Sequence, residues 1–448
     1  MKKILVAAAV LFAGTTAMAE GYQINTLSAR QLGMGHTGTA LKLGAENMIF
    51  NPAGLAFSDR KLDITASLTA IKATATCRPV SDGTTEYKTD NGFSTPLAVN
   101  AAFRIYDNLQ AGLSFYTPYG SAINWTNNWP GSVLSQRVSL KVYTVQPTVA
   151  WRVLPGLSVG AGLMISWGEV DLHKALVSGE TFDQVMAMQG IPSMLGHSAA
   201  ASVGLSGTSK VAVGVNVGAM YDINSQWTVG VDFRSKMMMK VDAGTASVSY
   251  ANQMAESVLE SQIGLINESN FSSEMPCPYV WNFGVSYRPT DRWTVALDAQ
   301  LTGWKAYREL DVDFPEPLTP FNQHIEKRYR NSWCFKAGGQ WAATPRCDLR
   351  AGLTIDTSPV NDLHYNPETP GMTKIEPTVG FSFRPIEQLS IDVALMYIHG
   401  MGKDNASCSY DDLLLRGANM PESVYRKTFT ADYKVHAFAP AFGVSYSF

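Results

Sequence analysis

The chain has 448 residues, a formal net charge of −3 and a charged fraction of only 16%. A balance so near neutral provides no basic surface for a polyanion, so nucleic acid is not an expected partner. A soluble exported protein of this length would carry more charge and would divide into two or three domains. The composition therefore argues against a soluble exported protein.

Residues 1–19 are typical of a secretory signal peptide. Lys2 and Lys3 precede a short apolar run, and a small-x-small cleavage site ends at Ala19, so the mature chain is expected to begin at Glu20. The apolar run is too short for a membrane anchor, and no later run approaches the roughly 18 apolar residues of a membrane helix. If the protein lies in a membrane, strands must cross it.

Residues 20–60 have no helix or strand period and precede about 390 residues of alternating, turn-punctuated β pattern. Glycines recur along this segment and allow it to fold compactly. We interpret it as an N-terminal hatch, or plug, for the domain that follows. Its six glycines are Gly21, Gly33, Gly35, Gly38, Gly44 and Gly54.

Residues 61–448 alternate strands with turns, and the pattern predicts about fourteen antiparallel strands. Short turns fall at one rim and long loops at the other. This asymmetry is typical of a transmembrane β-barrel of the outer membrane and is not expected of an immunoglobulin-like sandwich. The main short turns are 107–108, 155–156, 222–226, 289–292, 344–347 and 385–388, and the main long loops are 177–206, 247–275, 311–327, 358–371 and 403–430.

Apolar side chains alternate with small or polar ones in stretches such as 211–221, 227–234, 293–300 and 389–397. A period of two faces one set to lipid and the other to the lumen. Bacterial outer-membrane barrels commonly end in an aromatic strand, so Phe448 implies recognition by the barrel assembly machinery. Aromatic residues suited to a membrane-interface girdle are Trp151, Trp167, Trp227, Trp293 and Tyr397.

The size of the barrel explains why a plug is expected. Eight strands leave a lumen that side chains fill, whereas sixteen to eighteen leave an open channel. About fourteen strands leave a bore too wide for barrel side chains alone to fill. A general diffusion pore has no use for a plug, so the cargo is expected to be selected.

The five cysteines are odd in number, scattered and without CxxC spacing. They predict neither a disulfide framework nor a metal cluster, and at most one or two bridges would form. No metal or other cofactor is expected. The residues are Cys77, Cys277, Cys334, Cys347 and Cys408.

Short motifs follow one another through the whole mature chain. They are Gly21-Tyr22-Gln23-Ile24-Asn25, Leu32-Gly33 with Gly38, Asn51-Pro52-Ala53, Pro118-Tyr119-Gly120, Arg234-Ser235, Gly303-Trp304, Asp356-Thr357-Ser358-Pro359-Val360 and Tyr397-Ile398-His399-Gly400. In combination they resemble the FadL/TodX family of outer-membrane transporters for long-chain fatty acids and other hydrophobic compounds.

The resemblance implies a fourteen-stranded barrel and a hatch whose gating residues include Gly33, Gly38, Asn51, Pro52 and Ala53. It also implies a kinked third strand that opens the wall sideways. A fatty acid-like ligand would pass from an outer loop groove to an interior pocket and leave laterally into the membrane. The other implied surroundings are outer-membrane lipid and lipopolysaccharide, and the implied oligomeric state is a monomer.

The outer groove is predicted on two loop segments whose apolar residues lie mostly at near-helical spacing. Flexible methionines suit a promiscuous apolar surface. The alternative is that these helices only pack on each other and cap the barrel, because periodicity does not separate a core from a groove. The residues are Phe182, Val185, Met186, Met188 and Ile191 in one segment and Met254, Val258, Leu259, Ile263 and Ile266 in the other.

Arg330 and Lys174 are the candidate cations for a ligand carboxylate. Arg330 aligns approximately with a basic position of the family, and Lys174 lies near the top of the fifth strand. Where the family has an arginine earlier in that strand, this chain has Gly168-Glu169, which weakens a fatty-acid assignment. The alternative is that both cations face water or lipopolysaccharide phosphates.

Two other functions fit an outer-membrane barrel. A surface adhesin or structural barrel would bind partners through its loops and would not need a movable plug. A barrel hydrolase would need loop groups such as His173, His324 and His364 assembled at one rim beside a nucleophile. Since these histidines lie in no recognisable nucleophile motif, an enzyme is not expected.

Overall fold

The computed structural model describes residues 21–263 and 267–448, so the predicted signal peptide lies outside it. The fold is dominated by β-strands. In chain order they are β1 (Leu62–Thr69), β2 (Lys72–Pro79), β3 (Tyr87–Lys88), β4 (Leu97–Tyr106), β5 (Leu109–Asn124), β6 (Arg137–Leu154), β7 (Leu157–Val177), β8 (Ala201–Thr208), β9 (Ala212–Asp222), β10 (Trp227–Arg234), β11 (Met237–Tyr250), β12 (Glu268–Cys277), β13 (Val280–Thr290), β14 (Trp293–Thr302), β15 (Glu309–Asp313), β16 (Gln323–Glu326), β17 (Ser332–Thr344), β18 (Cys347–Asp356), β19 (Lys374–Ile386), β20 (Leu389–Gly400), β21 (Lys403–Asp411) and β22 (Arg426–Ser447).

Fourteen strands form a closed antiparallel ring. In order around the ring they are β1, β4, β5, β6, β7, β9, β10, β13, β14, β17, β18, β19, β20 and β22. The last strand pairs with the first, with Asp63 opposite Ser447, and this pairing closes the barrel. The predicted fourteen-stranded antiparallel barrel is confirmed.

Side chains alternate across the barrel wall as the period of two predicts. In β14, Val295 and Leu297 are 42% and 54% exposed, whereas Asp298 and Gln300 are 6% and 2% exposed. Apolar groups therefore form the outer face, and polar groups line the inner face. An outer face of this kind is suited to lipid.

The eight strands outside the ring occupy much of what the sequence predicted to be long loops. Starting from the second half of β7, strands β8, β11, β12, β15 and β16 pair in series. Strands β2 and β21 pair with β22, and β3 pairs with β2. The predicted loops 177–206, 247–275, 311–327 and 403–430 therefore contain strand segments that the sequence interpretation did not assign, whereas the helices Gly179–Met188 and Gln253–Ile263 lie in the two loop segments with near-helical spacing. Because these strands do not belong to the ring, they lack the regular lipid-facing alternation by which a strand is recognised.

The helices are short, and most lie in the N-terminal segment or in the long connections. No described helix is long and apolar enough to cross a bilayer. The α-helices are α1 (Ala29–Leu32), α2 (Asn47–Phe50), α3 (Gly179–Met188), α4 (Gln253–Ile263), α5 (Leu413–Gly417) and α6 (Glu422–Tyr425), and the 3₁₀ helices are Gly44–Glu46, Pro52–Phe57, Trp304–Ala306, Thr319–Phe321 and Asp362–His364.

The main apolar core joins the N-terminal segment to the barrel. Tyr22, Leu32 and Met34 belong to the same buried cluster as Tyr116 in β5 and Met396 in β20. The five cysteines form no disulfide, and four of them are buried. Packing, rather than covalent bridges, therefore holds the N-terminal segment in place.

Candidate functional site

The N-terminal segment, residues 21–58, contacts all fourteen strands of the ring. The backbone N–H of Ala29 donates to Ser67 Oγ in β1 at 2.9 Å, and Thr354 in β18 donates from Oγ1 to the backbone oxygen of Gly35 at 2.9 Å. Comparable contacts reach each of the other ring strands. Both polar and apolar groups hold the segment against the inner wall.

Two of the predicted gating glycines differ in what they contact. A Cβ on Gly33 would lie 2.9 Å from the Cα of Gly380 in β19, so backbone meets backbone here. Gly38 donates its N–H to Asp298 Oδ2 at 2.8 Å; its Cβ would meet the end of the Gln31 side chain at 2.4 Å and the Cβ of Phe50 at an ordinary 3.4 Å. Gly33 is therefore the position at which glycine is sterically required.

Asn51 joins two parts of the N-terminal segment to the wall. Its Oδ1 accepts a hydrogen bond from the N–H of Ala53 at 3.1 Å and caps the 3₁₀ helix that begins at Pro52. Its Nδ2 donates to the backbone oxygens of Thr39 at 2.7 Å and of Ala219 in β9 at 3.2 Å. Asn51, Pro52 and Ala53 are all fully buried.

The third ring strand, β5, is irregular where the N-terminal segment meets it. Its register with β6 shifts between Tyr116 and Tyr119, and its pairing with β4 ends at Tyr116. Pro118, inside the shift, has no N–H to offer a neighbour. The N-terminal segment supplies the missing partner: Gly120 donates to the backbone oxygen of Tyr22 at 2.8 Å, and the N–H of Ile24 donates to Pro118 at 2.9 Å.

An apolar cavity of about 80 Å³ lies beside Tyr22. Its wall combines ring strands β5, β6 and β7 with β11, β12 and β15 from outside the ring, together with Tyr307, Glu368 and Thr369. Sequence reasoning missed this cavity because most of β12 and part of β15 lie in predicted loops, and the pairing that brings them beside β6 and β7 has no local sequence signal. Its apolar lining includes Val138, Leu140, Val142, Met239, Phe271 and Met275.

A buried ion pair lies at the edge of the cavity. Lys327 Nζ lies 2.6 Å from Glu368 Oε2, and the two side chains are only 1% and 12% exposed. The ammonium also lies 5.9 Å from the ring centroid of Tyr307. Burial lowers the pKa of Lys327, but the Glu368 charge and two tyrosines outweigh this effect and hold the pKa above its ordinary value. Lys327 therefore stays protonated.

Six of the ten predicted loop-groove residues share one apolar cluster around α3 and α4. Phe182, Met186 and Leu259 are fully buried there together with Leu414 of α5. These side chains are used in packing the loops on one another, as the capping interpretation predicts. The other three predicted groove residues in this cluster are partly buried against its core, and they are Val185, Met254 and Val258.

The structure does not bring the remaining predicted groove residues into the same cluster. Met188 and Ile191 are 87% and 38% exposed. The side chain of Ile263 and the whole of Ile266 lie outside the described residues.

Neither predicted headgroup cation lines the apolar cavity beside Tyr22. The side chain of Arg330 is exposed, and its backbone N–H donates to Pro359 at 2.8 Å. Lys174 donates from Nζ to Gln323 Oε1 at 3.0 Å and borders a separate polar cavity of about 390 Å³. The buried cation near the apolar cavity is Lys327, which carried no local sequence signal.

The loop histidines are each paired with a carboxylate of their own. His173 lies 2.8 Å from Asp171, and His324 lies 2.6 Å from Asp311. His364 approaches a carboxylate at 3.4 Å. Among the residues that the structure describes, no group of three or more His, Cys, Asp or Glu side chains is arranged to hold a metal ion. These histidines therefore contact neighbouring carboxylates separately, and they are not assembled at one site.

A closed fourteen-stranded ring with an apolar outer face and a segment packed on its polar inner face defines an outer-membrane transport barrel. The family model described as outer membrane protein transport protein (OMPP1/FadL/TodX) matches residues 10–448. The chain belongs to this family, which consists of transport proteins and not enzymes, and its location is the outer membrane.

Individual relatives are distant in sequence and close in fold. The long-chain fatty acid transport protein of Escherichia coli strain K12 is 22% identical over 419 residues, which cover 89% of this chain and 92% of that protein. The crystal structure of a Pseudomonas aeruginosa FadL homologue superposes with a TM-score of 0.79 at 17% identity, covering 96% of this chain and 100% of that chain. The Pseudomonas putida toluene transporter TodX gives 0.69 at 15% identity, with 96% and 99% covered.

Proposed function

We propose that the protein takes up hydrophobic small molecules through an apolar cavity that the N-terminal segment closes. The observation that carries this proposal is that Tyr22 belongs both to the cavity wall and to the contact with the irregular third strand. It lines the cavity, and its backbone oxygen is the partner of Gly120 in the irregular third strand. The names of two relatives, a long-chain fatty acid transport protein and a toluene transporter, support cargo of this class.

Entry of cargo displaces Tyr22 in this proposal. The cavity measures about 80 Å³, whereas an apolar cavity that accepts benzene measures about 150 Å³. A ligand therefore needs the space that the tyrosine ring occupies. Burial of the ligand provides roughly 0.8 kcal/mol per methylene group to drive the change.

Displacement of Tyr22 also opens the wall. The hydrogen bonds from Gly120 to Tyr22 and from Ile24 to Pro118 break when this part of the segment moves. Because β4 does not pair with β5 beyond Tyr116, no other ring strand replaces them. Cargo then leaves sideways into the membrane and does not cross the periplasmic mouth through water.

We further propose that residues 20–60 form the hatch and residues 61–448 the barrel. Gly33, Gly38, Asn51, Pro52 and Ala53 fix the hatch in its closed position through the wall contacts described above. Outer-membrane lipid and lipopolysaccharide surround the monomeric barrel, and the barrel assembly machinery inserts it. The helices α3 and α4 cap the loops.

A disulfide between the hatch and β5 tests this proposal. Gln23 and Tyr119 form an antiparallel β-bridge, and residues in such pairs lie about 4.5–5.5 Å apart at Cα, within disulfide range. The five native cysteines are first replaced by alanine, and Gln23→Cys and Tyr119→Cys are then introduced together.

The oxidised double variant is expected to lose uptake of hydrophobic probes by cells, and reductant is expected to restore it. Each single cysteine variant serves as the control for the loss of the native side chain. Unchanged uptake with the disulfide formed contradicts displacement of Tyr22. Uptake that is absent even from the native chain favours the adhesin or structural alternative.

A further inference from the structure

We infer that the cargo of the cavity beside Tyr22 is uncharged, and that a carboxylate-bearing chain is discriminated against. The inference rests on the proposed uptake function and names the class of molecule that this function serves. It follows from which charged groups face the cavity and from how the buried cation at its edge is already paired.

No lysine or arginine lines this cavity within the described part of the chain. Glu169 and Glu274 contribute to its wall, but strand alternation directs their carboxylates to the opposite face. Their neighbours Val170 and Met275 are partly buried in apolar clusters, whereas Glu169 and Glu274 are exposed. Glu274 forms its ion pair on that exposed face, with Lys240. Glu368 is therefore the remaining carboxylate among the described wall residues.

The buried cation Lys327, at the edge of the cavity, is paired with that carboxylate. Lys327 is 2.6 Å from Glu368 and 1% exposed, and it is not part of the cavity wall. A buried ion pair attracts a third charge only weakly, because the two partners cancel each other at a distance. A ligand carboxylate in this cavity would lose its hydration without gaining a partner, and it would meet the charge of Glu368.

The remaining polar groups suit an uncharged ligand. The hydroxyl-bearing residues Ser121, Ser209, Ser273, Tyr307 and Thr369 belong to the wall. The Ser273 hydroxyl donates to the backbone oxygen of Asp311 at 2.6 Å, and the Thr369 hydroxyl is hydrogen-bonded to Tyr329 at 2.8 Å. A hydroxyl that already donates its proton keeps acceptor lone pairs, so these groups suit an alcohol as well as a hydrocarbon. Apolar side chains form the rest of the surface. The cavity wall therefore provides apolar contacts and hydroxyl groups for a neutral molecule, and its described residues provide no cation to pair with a negative charge.

The test compares 1-decanol with decanoate, which share a chain length and differ in charge. Binding to the full mature chain in lipid nanodiscs at pH 8 is measured after subtraction of partition into empty nanodiscs. Lys174→Gln is also introduced as a background, because Lys174 borders two other cavities and would hold decanoate there. Decanol is expected to bind at least tenfold more tightly than decanoate in both backgrounds.

Glu368→Gln tests the role of the ion pair. This variant frees the charge of Lys327, so decanoate affinity is expected to rise at least tenfold while decanol affinity changes less than threefold. The double variant with Lys327→Gln and Glu368→Gln removes both charges and is expected to leave decanoate binding weak. Glu86→Gln, at an exposed site away from the cavity, is the matched control.

The outcomes separate the two proposals. Decanoate that binds the native chain as tightly as decanol does overturns the inference and leaves the uptake function standing. Absence of binding by either probe overturns both. If Glu368→Gln does not fold, the comparison of the two probes on the native chain still decides the inference.

Discussion

Asn51 in the N-terminal segment donates a hydrogen bond from Nδ2 to the backbone oxygen of Ala219 in β9, at 3.2 Å. The same amide group donates to Thr39 at 2.7 Å, so one side chain joins two stretches of the segment and the wall. It is fully buried, and water does not replace the bonds if they are lost. Asn51 is thus a fastening point between segment and barrel.

Asn51→Ala is expected to weaken docking of the segment by about 1–3 kcal/mol, because the buried backbone oxygens of Thr39 and Ala219 lose this donor. The barrel stays folded, since the ring ladders do not use this side chain. Hydrogen exchange should speed up in peptides covering 39–53 and remain unchanged in ring strands. Asn127→Ala, at an exposed loop position, is the control. Protection that is equal in both variants would contradict the fastening role.

Gly33→Ala and Gly38→Ala form a matched pair with opposite expectations. The new methyl group at residue 33 meets the backbone of β19, which has no freedom to move, whereas the one at residue 38 meets a flexible glutamine end. Gly33→Ala is therefore expected to displace the segment and raise its susceptibility to limited proteolysis severalfold. Gly38→Ala should resemble the native chain. Equal susceptibility of the two variants would show that the approach to Gly380 is not tight in solution.

The ring could be predicted from sequence because lipid and lumen impose opposite demands on alternate residues. One such signal is the alternation in β14, where Val295 and Leu297 face outward and Asp298 and Gln300 face inward. Repetition of this alternation along the chain predicts the number of strands. Strands such as β11 and β12 stand outside the ring and have no lipid-facing side. Strand β12 carries few apolar residues, so its hydrophobic alternation is weak, and most of it lies in the predicted loop 247–275; β11 lies mostly before that loop.

The candidate site was predictable only where its residues adjoin in sequence. The Asn51-Pro52-Ala53 motif is contiguous in sequence, and its helix cap is formed within these three residues. Lys327 and Glu368 are 41 residues apart, and each lies in a connection without a pattern. Only the closed fold brings them together beside Tyr307. Arg330 was a reasonable candidate cation, but the structure leaves its side chain exposed.

Phe182→Ala tests whether α3 caps the loops. Its ring is fully buried in the cluster with Leu259 and Leu414, so truncation leaves a cavity and is expected to cost about 3–5 kcal/mol of local packing. Met188→Ala, at a side chain that is 87% exposed, should change stability by less than about 0.5 kcal/mol. Thiol labelling of a cysteine placed at Ala200 reports loosening of this cluster. If both variants weaken ligand binding equally and leave labelling unchanged, α3 instead presents a groove.

Glu46 gives docking of the N-terminal segment a pH dependence. Burial raises its pKa to about 7 from the ordinary 4.5, although nearby Arg30 opposes the shift. Ser28 donates from Oγ to its Oε2 at 2.9 Å, and Asp63 and Asp392 add like charge. The docked segment therefore favours the protonated carboxyl group, whereas an undocked segment releases that proton near the ordinary value.

Between pH 4.5 and pH 7 the docked form holds more protons than the undocked form, so docking weakens as the pH rises. The loss amounts to at most about 3 kcal/mol and is complete above the docked pKa. Glu46→Gln removes the titration and should make docking independent of pH over this range. The ratio of hydrogen-exchange rates in peptides covering 44–50, native chain over variant, cancels the intrinsic effect of pH. That ratio should rise between pH 5 and pH 8, and a constant ratio would show that Glu46 does not titrate in this range.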